Sequence, residues 1–178
     1  MKLVVLGRDG VINQVVPNGV RHADQWQPLS ASTEAIARLS QAGYRVVITT
    51  NQQGVASGKI NIEALHDIHD KMLSVIGEAG GVIDSIFFST TGDPSSRGKR
   101  QPKVALLRQI ERRYGMSMKD VTFIGDARED LEAAAAVGAR PVLVRTGEGT
   151  EMLGELTGFD GVITYADLAA AVDALLAD

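Results

Sequence analysis

The sequence predicts an α/β fold, a Rossmann-like parallel sheet flanked by helices, over residues 1–178 as a single domain with no large cap. Two observations carry the prediction. Short β-branched apolar runs alternate with longer segments of helical period, the pattern of repeated strand–helix units. Polar clusters containing glycine, arginine or acid then follow directly on four of those runs, at the strand ends where a parallel sheet gathers its ligands.

The strands are expected at 3–6, 44–50, 82–90, 121–126, 140–146 and 161–164. Between them, 30–42 sets Ile36 and Leu39 on one helical face, and 61–79 repeats Ile62, Leu65, Ile68, Met72, Leu73 and Ile76 at helical spacing. Helices over 103–114, 128–137 and 165–176 complete the set, the last opened by Thr164-Tyr165-Ala166-Asp167 as a variant of the capping box. The connections are short except for a polar excursion at 13–29 and a turn-rich loop at 91–102. Trp26, in the first excursion, suits lining a substrate pocket or anchoring that loop, and is read as the anchor. His22, His66 and His69 are scattered and read as surface or helix-face residues.

Composition bounds the function. Hydrophobic residues make up 44% of the 178 and aromatics only 4%, so the core is aliphatic and large enough for one domain. A net charge of -4 provides no extended cationic surface for nucleic acid, though small anions can bind locally. The absence of cysteine excludes disulfides and thiolate metal sites, so no zinc site of that kind is expected. Met1-Lys2-Leu3-Val4-Val5-Leu6 starts like a signal segment, but Arg8 and Asp9 interrupt it. No apolar run approaches the roughly 20 residues of a membrane span. The chain reads as a soluble, cytoplasmic monomer.

Four clusters mark the strand ends: Gly7 to Asn13, Thr50-Asn51-Gln52, Arg100 to Lys103, and Gly125-Asp126 with Asp130. The Thr50 hydroxyl and Asn51 amide suit phosphate oxygens, or else a helix cap or Asx turn. Asp126 and Asp130, four apart where a strand enters a helix, suit one hard cation such as Mg²⁺, or else capping and solvation.

Together these residues resemble the haloacid dehalogenase superfamily, and within it the D-glycero-D-manno-heptose 1,7-bisphosphate phosphatases and the related histidinol-phosphate phosphatases. The family's LDRDGVIN is matched by Leu6-Gly7-Arg8-Asp9-Gly10-Val11-Ile12-Asn13 and its TNQSGIARG by Thr50-Asn51-Gln52-Gln53-Gly54-Val55-Ala56-Ser57-Gly58. Its GDxxxD is Gly125-Asp126-Ala127-Arg128-Glu129-Asp130, and its LVRTG is Leu143-Val144-Arg145-Thr146-Gly147.

The resemblance implies a phosphatase in which one aspartate attacks phosphorus and a second protonates the leaving oxygen and then activates water. Carried onto this chain, it makes Asp9 the acid/base and Gly7 the position of the missing nucleophile. Thr50, Asn51, Arg100 and Lys103 become phosphate or substrate contacts. Asp126, Asp130 and the Asp9 carbonyl become Mg²⁺ ligands, weakened by the lost carboxylate. The substrate class implied is a small phosphorylated metabolite, a sugar phosphate.

Three more departures accompany Gly7. The family's third-motif lysine falls at Gln101, with Lys103 two residues on along a segment read as extended. The family's zinc-binding loop, one histidine and three cysteines, corresponds to 89–99 here and has none of those ligands. Ser57 stands where the family has arginine. The expectation is a phosphatase homologue crippled in turnover that keeps a phosphate and Mg²⁺ pocket. The alternatives are an active Mg²⁺-dependent phosphomonoester hydrolase with an engineered or erroneous Gly7, and a binding or scaffold protein.

Overall fold

A computed structural model describes residues 1–90, 96–155, 157–159 and 161–177, with 96–101 described by their backbone alone. Six strands form the sheet: β1 Lys2–Gly7, β2 Tyr44–Asn51, β3 Ser85–Ser89, β4 Thr122–Gly125, β5 Arg140–Val144 and β6 Ile163–Tyr165. All pair in parallel, in the order β3-β2-β1-β4-β5-β6. The chain winds outward from β1 in both directions, so the crevice that opens where the winding reverses lies between β1 and β4.

The helices are α1 Ser32–Gln41, α2 Gln53–Ala56, α3 Ile62–Glu78, α4 Ser96–Tyr114, α5 Arg128–Val137, α6 Gly149–Met152 and α7 Leu168–Ala177. Successive residues of a strand point to opposite faces. Val4, Leu6, Val46 and Ile48 therefore pack with α1, α3 and α7 on one side, while Leu3, Val5, Val47 and Phe123 pack with α4 and α5 on the other. Residues such as Leu6, Ile48, Ile36 and Leu107 are wholly buried; each contributes about 1.5–3 kcal/mol of apolar transfer.

Several boundaries differ from the sequence expectation. The helix expected at 103–114 begins at Ser96, so Arg100, Gln101 and Pro102 are helical in backbone, not an extended segment. Of the loop expected at 91–102, residues 91–95 lie outside the described residues. Pro102 gives up one amide donor, yet Leu106, Leu107 and Ile110 are buried just beyond it, and that packing carries the helix through.

On α3, Asn61 accepts from the Ala64 amide as the N-cap, but Ile62 and Leu73 are exposed, not part of the buried stripe. The stripe runs through Leu65, Met72 and Ile76, which brings His69 inward instead. The last helix starts from Asp167, whose Oδ1 accepts from the Ala170 amide, while Thr164 belongs to β6. The strand expected at 82–90 is confined to Ser85–Ser89. Trp26 is fully buried against the core, the anchoring role expected of it, and Lys71 ties the same excursion to α3 by donating to the Ala23 carbonyl.

Candidate active site

At the carboxyl ends of β1, β2 and β4 lies a cavity of about 750 Å³. Its lining includes seven of the residues singled out from sequence: Gly7, Asp9, Thr50, Asn51, Lys103, Asp126 and Asp130. Strand register brings the clusters together, because Gly7 sits opposite Thr49 and Leu6 opposite Ile124. The side chain of Arg100 lies outside the described residues.

Asp9 is held, not free. Arg8 Nη2 donates to both carboxylate oxygens at 3.1 Å, Arg8 Nε adds a bond of 3.3 Å, and Asn13 Nδ2 donates to Oδ1 at 2.9 Å. The Arg8 side chain is 1% exposed and that of Asp9 35%, so of the two the carboxylate is the group open to the cavity. Arg8 Nη1 reaches Nε2 of His69 at 3.0 Å.

Gln52 turns its amide oxygen to the guanidinium, accepting from Nη2 at 3.1 Å, from Nη1 at 3.2 Å and from Thr50 Oγ1 at 2.8 Å. The opposite orientation makes Gln52 Nε2 the donor to Thr50 but sets an NH₂ group against two cationic donors. Burial first, and then the charge of Arg8, push His69 down to about 4, so it is neutral at physiological pH and its Nε2 accepts. His22 and His66 are exposed, as read from sequence; His69 is buried, and that reading is corrected. Its place between Leu65 and Met72 on the apolar stripe was the available signal.

The acidic pair does not present two open carboxylates. Asp130 Oδ2 accepts from the amides of Asp126 and Ala127 at 3.1 Å each, and Oδ1 is paired with Lys103. Asp130 thus caps α5, the plainer of the two readings the sequence allowed. Asp126 sits in a glycine cradle: a Cβ at Gly10 (φ 79°) or Gly147 (φ 59°) would overlap its Oδ2, and the Glu148 amide donates to that oxygen at 3.0 Å.

Burial first, then the Asp130 carboxylate, push Asp126 up to about 8, against the lowering influence of the Glu148 amide and Lys103. Burial acts to lower Lys103, but the charge and hydrogen bond of Asp130 outweigh it and the ammonium is held above its usual value. Among the described residues no three His, Cys, Asp or Glu side chains gather to hold a metal. A single buried carboxylate beside open cavity still fits Mg²⁺, which keeps several waters and shares phosphate oxygens.

Gly7 opens onto this cavity at the end of β1. Its backbone is not left-handed, and an added Cβ would meet Val11 Cγ2 at 3.3 Å, the Ile124 carbonyl at 3.7 Å and Gly125 Cα at 4.0 Å. The position therefore accepts a side chain with a shift of a few tenths of an ångström. Ser57 is exposed at the rim and offers no cation, but Lys59 and Arg21 line the same cavity from neighbouring loops.

The fold and the site together define a class, that of the haloacid-dehalogenase-like α/β domains, with acidic loops after the first and fourth strands. A family model described as HAD-hydrolase-like matches residues 98–171. The D-glycero-beta-D-manno-heptose-1,7-bisphosphate 7-phosphatase of Pseudomonas aeruginosa is 41% identical over 98% of this chain and 97% of its own. The enzyme of that name from Bordetella bronchiseptica is 42% identical over 99% and 98%. A crystal structure of the D,D-heptose 1,7-bisphosphate phosphatase of B. bronchiseptica, complexed with magnesium and phosphate, superposes with a TM-score of 0.92 at 41% identity, covering 99% of both chains. The corresponding structure from Burkholderia thailandensis gives 0.80 at 36% identity over the whole of both. This chain belongs to the heptose-1,7-bisphosphate phosphatase family of the haloacid dehalogenase superfamily.

Proposed function

We propose that this protein binds a phosphorylated sugar together with Mg²⁺ at the carboxyl edge of the sheet, and that its phosphatase turnover is crippled by Gly7. The observation that carries the proposal is the bare glycine opening on a cavity that otherwise holds Asp9, Lys103 and the cradled Asp126. The relative complexed with magnesium and phosphate supports the choice of ligands.

Asp126 and the Asp9 carbonyl would hold the ion; Asp130 acts on it indirectly, by capping α5 and by pairing with Lys103. When bound, the ion neutralises phosphoryl charge. Lys103, Asn51 and the Thr50 hydroxyl, which exchanges Gln52 for a phosphate oxygen, meet the anion. Lys103 reaches the cavity from α4, where it is paired with Asp130.

Asp9, oriented by Arg8 and Asn13, is the proton donor to the leaving oxygen. Without an oxyanion at position 7 there is no covalent intermediate, and residual turnover proceeds by direct attack of a cavity water opposite the leaving oxygen, the water's proton passing to a phosphoryl oxygen while Asp9 protonates the leaving group. Removing a carboxylate also lowers the repulsion of a phosphate dianion, so binding outlasts catalysis.

A second reading, an active Mg²⁺-dependent phosphatase in which Gly7 is an engineered or erroneous change, is favoured by the ordinary backbone and free space at that position. Calorimetric titration with inorganic phosphate in the presence of Mg²⁺ tests the proposal. Saturable binding is expected, and no heat at millimolar phosphate would sink it.

A further inference from the structure

Arg8 is a cation with almost no access to water, and its partners are unusual in being mostly neutral. It contributes charge to one neighbour, the Asp9 carboxylate, while Nη1 is received by His69 on α3 and both terminal nitrogens by Gln52 on the loop after β2. An imidazolium at position 69 would repel the guanidinium, and the low proton affinity of this ring keeps it an acceptor. Phe88 on β3 lies with its ring 6.2 Å from that of His69, closing the far side with an apolar wall. Gln52 meanwhile links Arg8 to Thr50. Three elements that share no sequence motif thus converge on one buried fork.

We propose that His69 and Gln52 are positioning residues that fix the Arg8 guanidinium, and through it the Asp9 carboxylate. This rests on the reading of Asp9 as the acid/base of a phosphatase site. A planar guanidinium gripping a carboxylate has one productive orientation, and its rotation is stopped only if the outer nitrogens are also engaged. His69 engages Nη1, and Gln52 engages both outer nitrogens.

The test compares His69→Leu, which removes the acceptor, with His69→Gln, whose amide oxygen replaces it. In ¹⁵N NMR of the unaltered chain at neutral pH, His69 is expected as the neutral tautomer protonated on Nδ1, with separately resolved, slowly exchanging Arg8 Nη protons. His69→Leu is expected to lose those signals and His69→Gln to regain them, with both variants folded by far-UV circular dichroism.

In the Gly7→Asp background, His69→Leu is expected to lower kcat for phosphate release by about tenfold with KM within about twofold, and His69→Gln to restore it. Arg8 signals unchanged in His69→Leu would overturn the proposal, as would an Nε2-protonated His69. If Gly7→Asp releases no phosphate at all, the claim that Gly7 is what cripples turnover fails on its own, and the NMR outcome still decides the positioning role.

Discussion

Replacing Gly7 by aspartate is expected to raise Mg²⁺-dependent phosphate release by at least about 10³-fold. Loss of a nucleophile from a covalent enzyme costs about 10⁴–10⁶ in turnover, and some of that gain is withheld here by the altered surroundings at Gln101. The structure says the residue can be housed. Position 7 has ordinary extended backbone, the tightest new contact is a methyl of Val11 at 3.3 Å, and beyond Cβ the side chain enters the cavity. The steric cost is therefore within about 1 kcal/mol. Electrostatically, the new carboxylate joins Lys103 and an Asp126 whose carboxyl is pushed up to about 8, so in the absence of metal it meets a group largely protonated at neutral pH. The assay is phosphate release from heptose 1,7-bisphosphate, parent beside variant, with melting temperature recorded for both. A folded, phosphate-binding variant with less than a tenfold gain would refute the reasoning, and would place the lesion in the loop and helix around Gln101.

Three further outcomes follow from the same geometry. Gly10→Ala puts a Cβ on a left-handed residue and into Asp126 Oδ2, so it is expected to cost at least about 2 kcal/mol in urea unfolding and to abolish phosphate binding; an unchanged midpoint would show that the cradle is loose. Lys103→Met leaves the buried Asp130 carboxylate with its two amide donors but no cation, for a loss of about 2 kcal/mol and a phosphate affinity reduced at least tenfold, read by denaturation and calorimetry. His69 binds its proton more weakly folded than unfolded, so its contribution is present above pH 6.5 and is lost as pH falls from there toward about 4. Relative to His69→Gln, the parent is expected to lose about 3 kcal/mol across that window, and a pH-independent difference would mean the ring is not held neutral.

How far the sequence could be read depended on whether a signal was local. The strands were legible because Val4 to Leu6, Val46 to Ile48 and Val142 to Val144 are apolar and β-branched or leucine, and such runs fit a sheet covered on both sides. The helix over 128–137 was legible to the residue, since Gly138 ends it in a left-handed turn. The start of α4 was not, because Pro102 and the glycines around it speak locally for a loop, and the burial of Leu106, Leu107 and Ile110 that overrules them belongs to the opposite layer. For His69 the helical spacing from Leu65 to Met72 marks the buried face, but a lone histidine on a helix carries no mark of the guanidinium it meets 61 positions away in sequence.

By itself the sequence determined the alternation of strands and helices, the four chemical clusters at the strand ends, and the absence of a carboxylate at position 7 and of any cysteine. These are properties of residue type and short-range spacing, and no arrangement in space can alter them. The tertiary structure alone decided how the charges are shared: that Asp130 is spent on the α5 amides and Lys103, that Asp126 is the carboxylate cradled by Gly10 and Gly147, and that Arg8 is buried among His69, Gln52 and Asp9. Pairing of charges depends on distances between residues far apart in the chain and on exclusion of water around them, and both come into existence only when the layers close over the sheet.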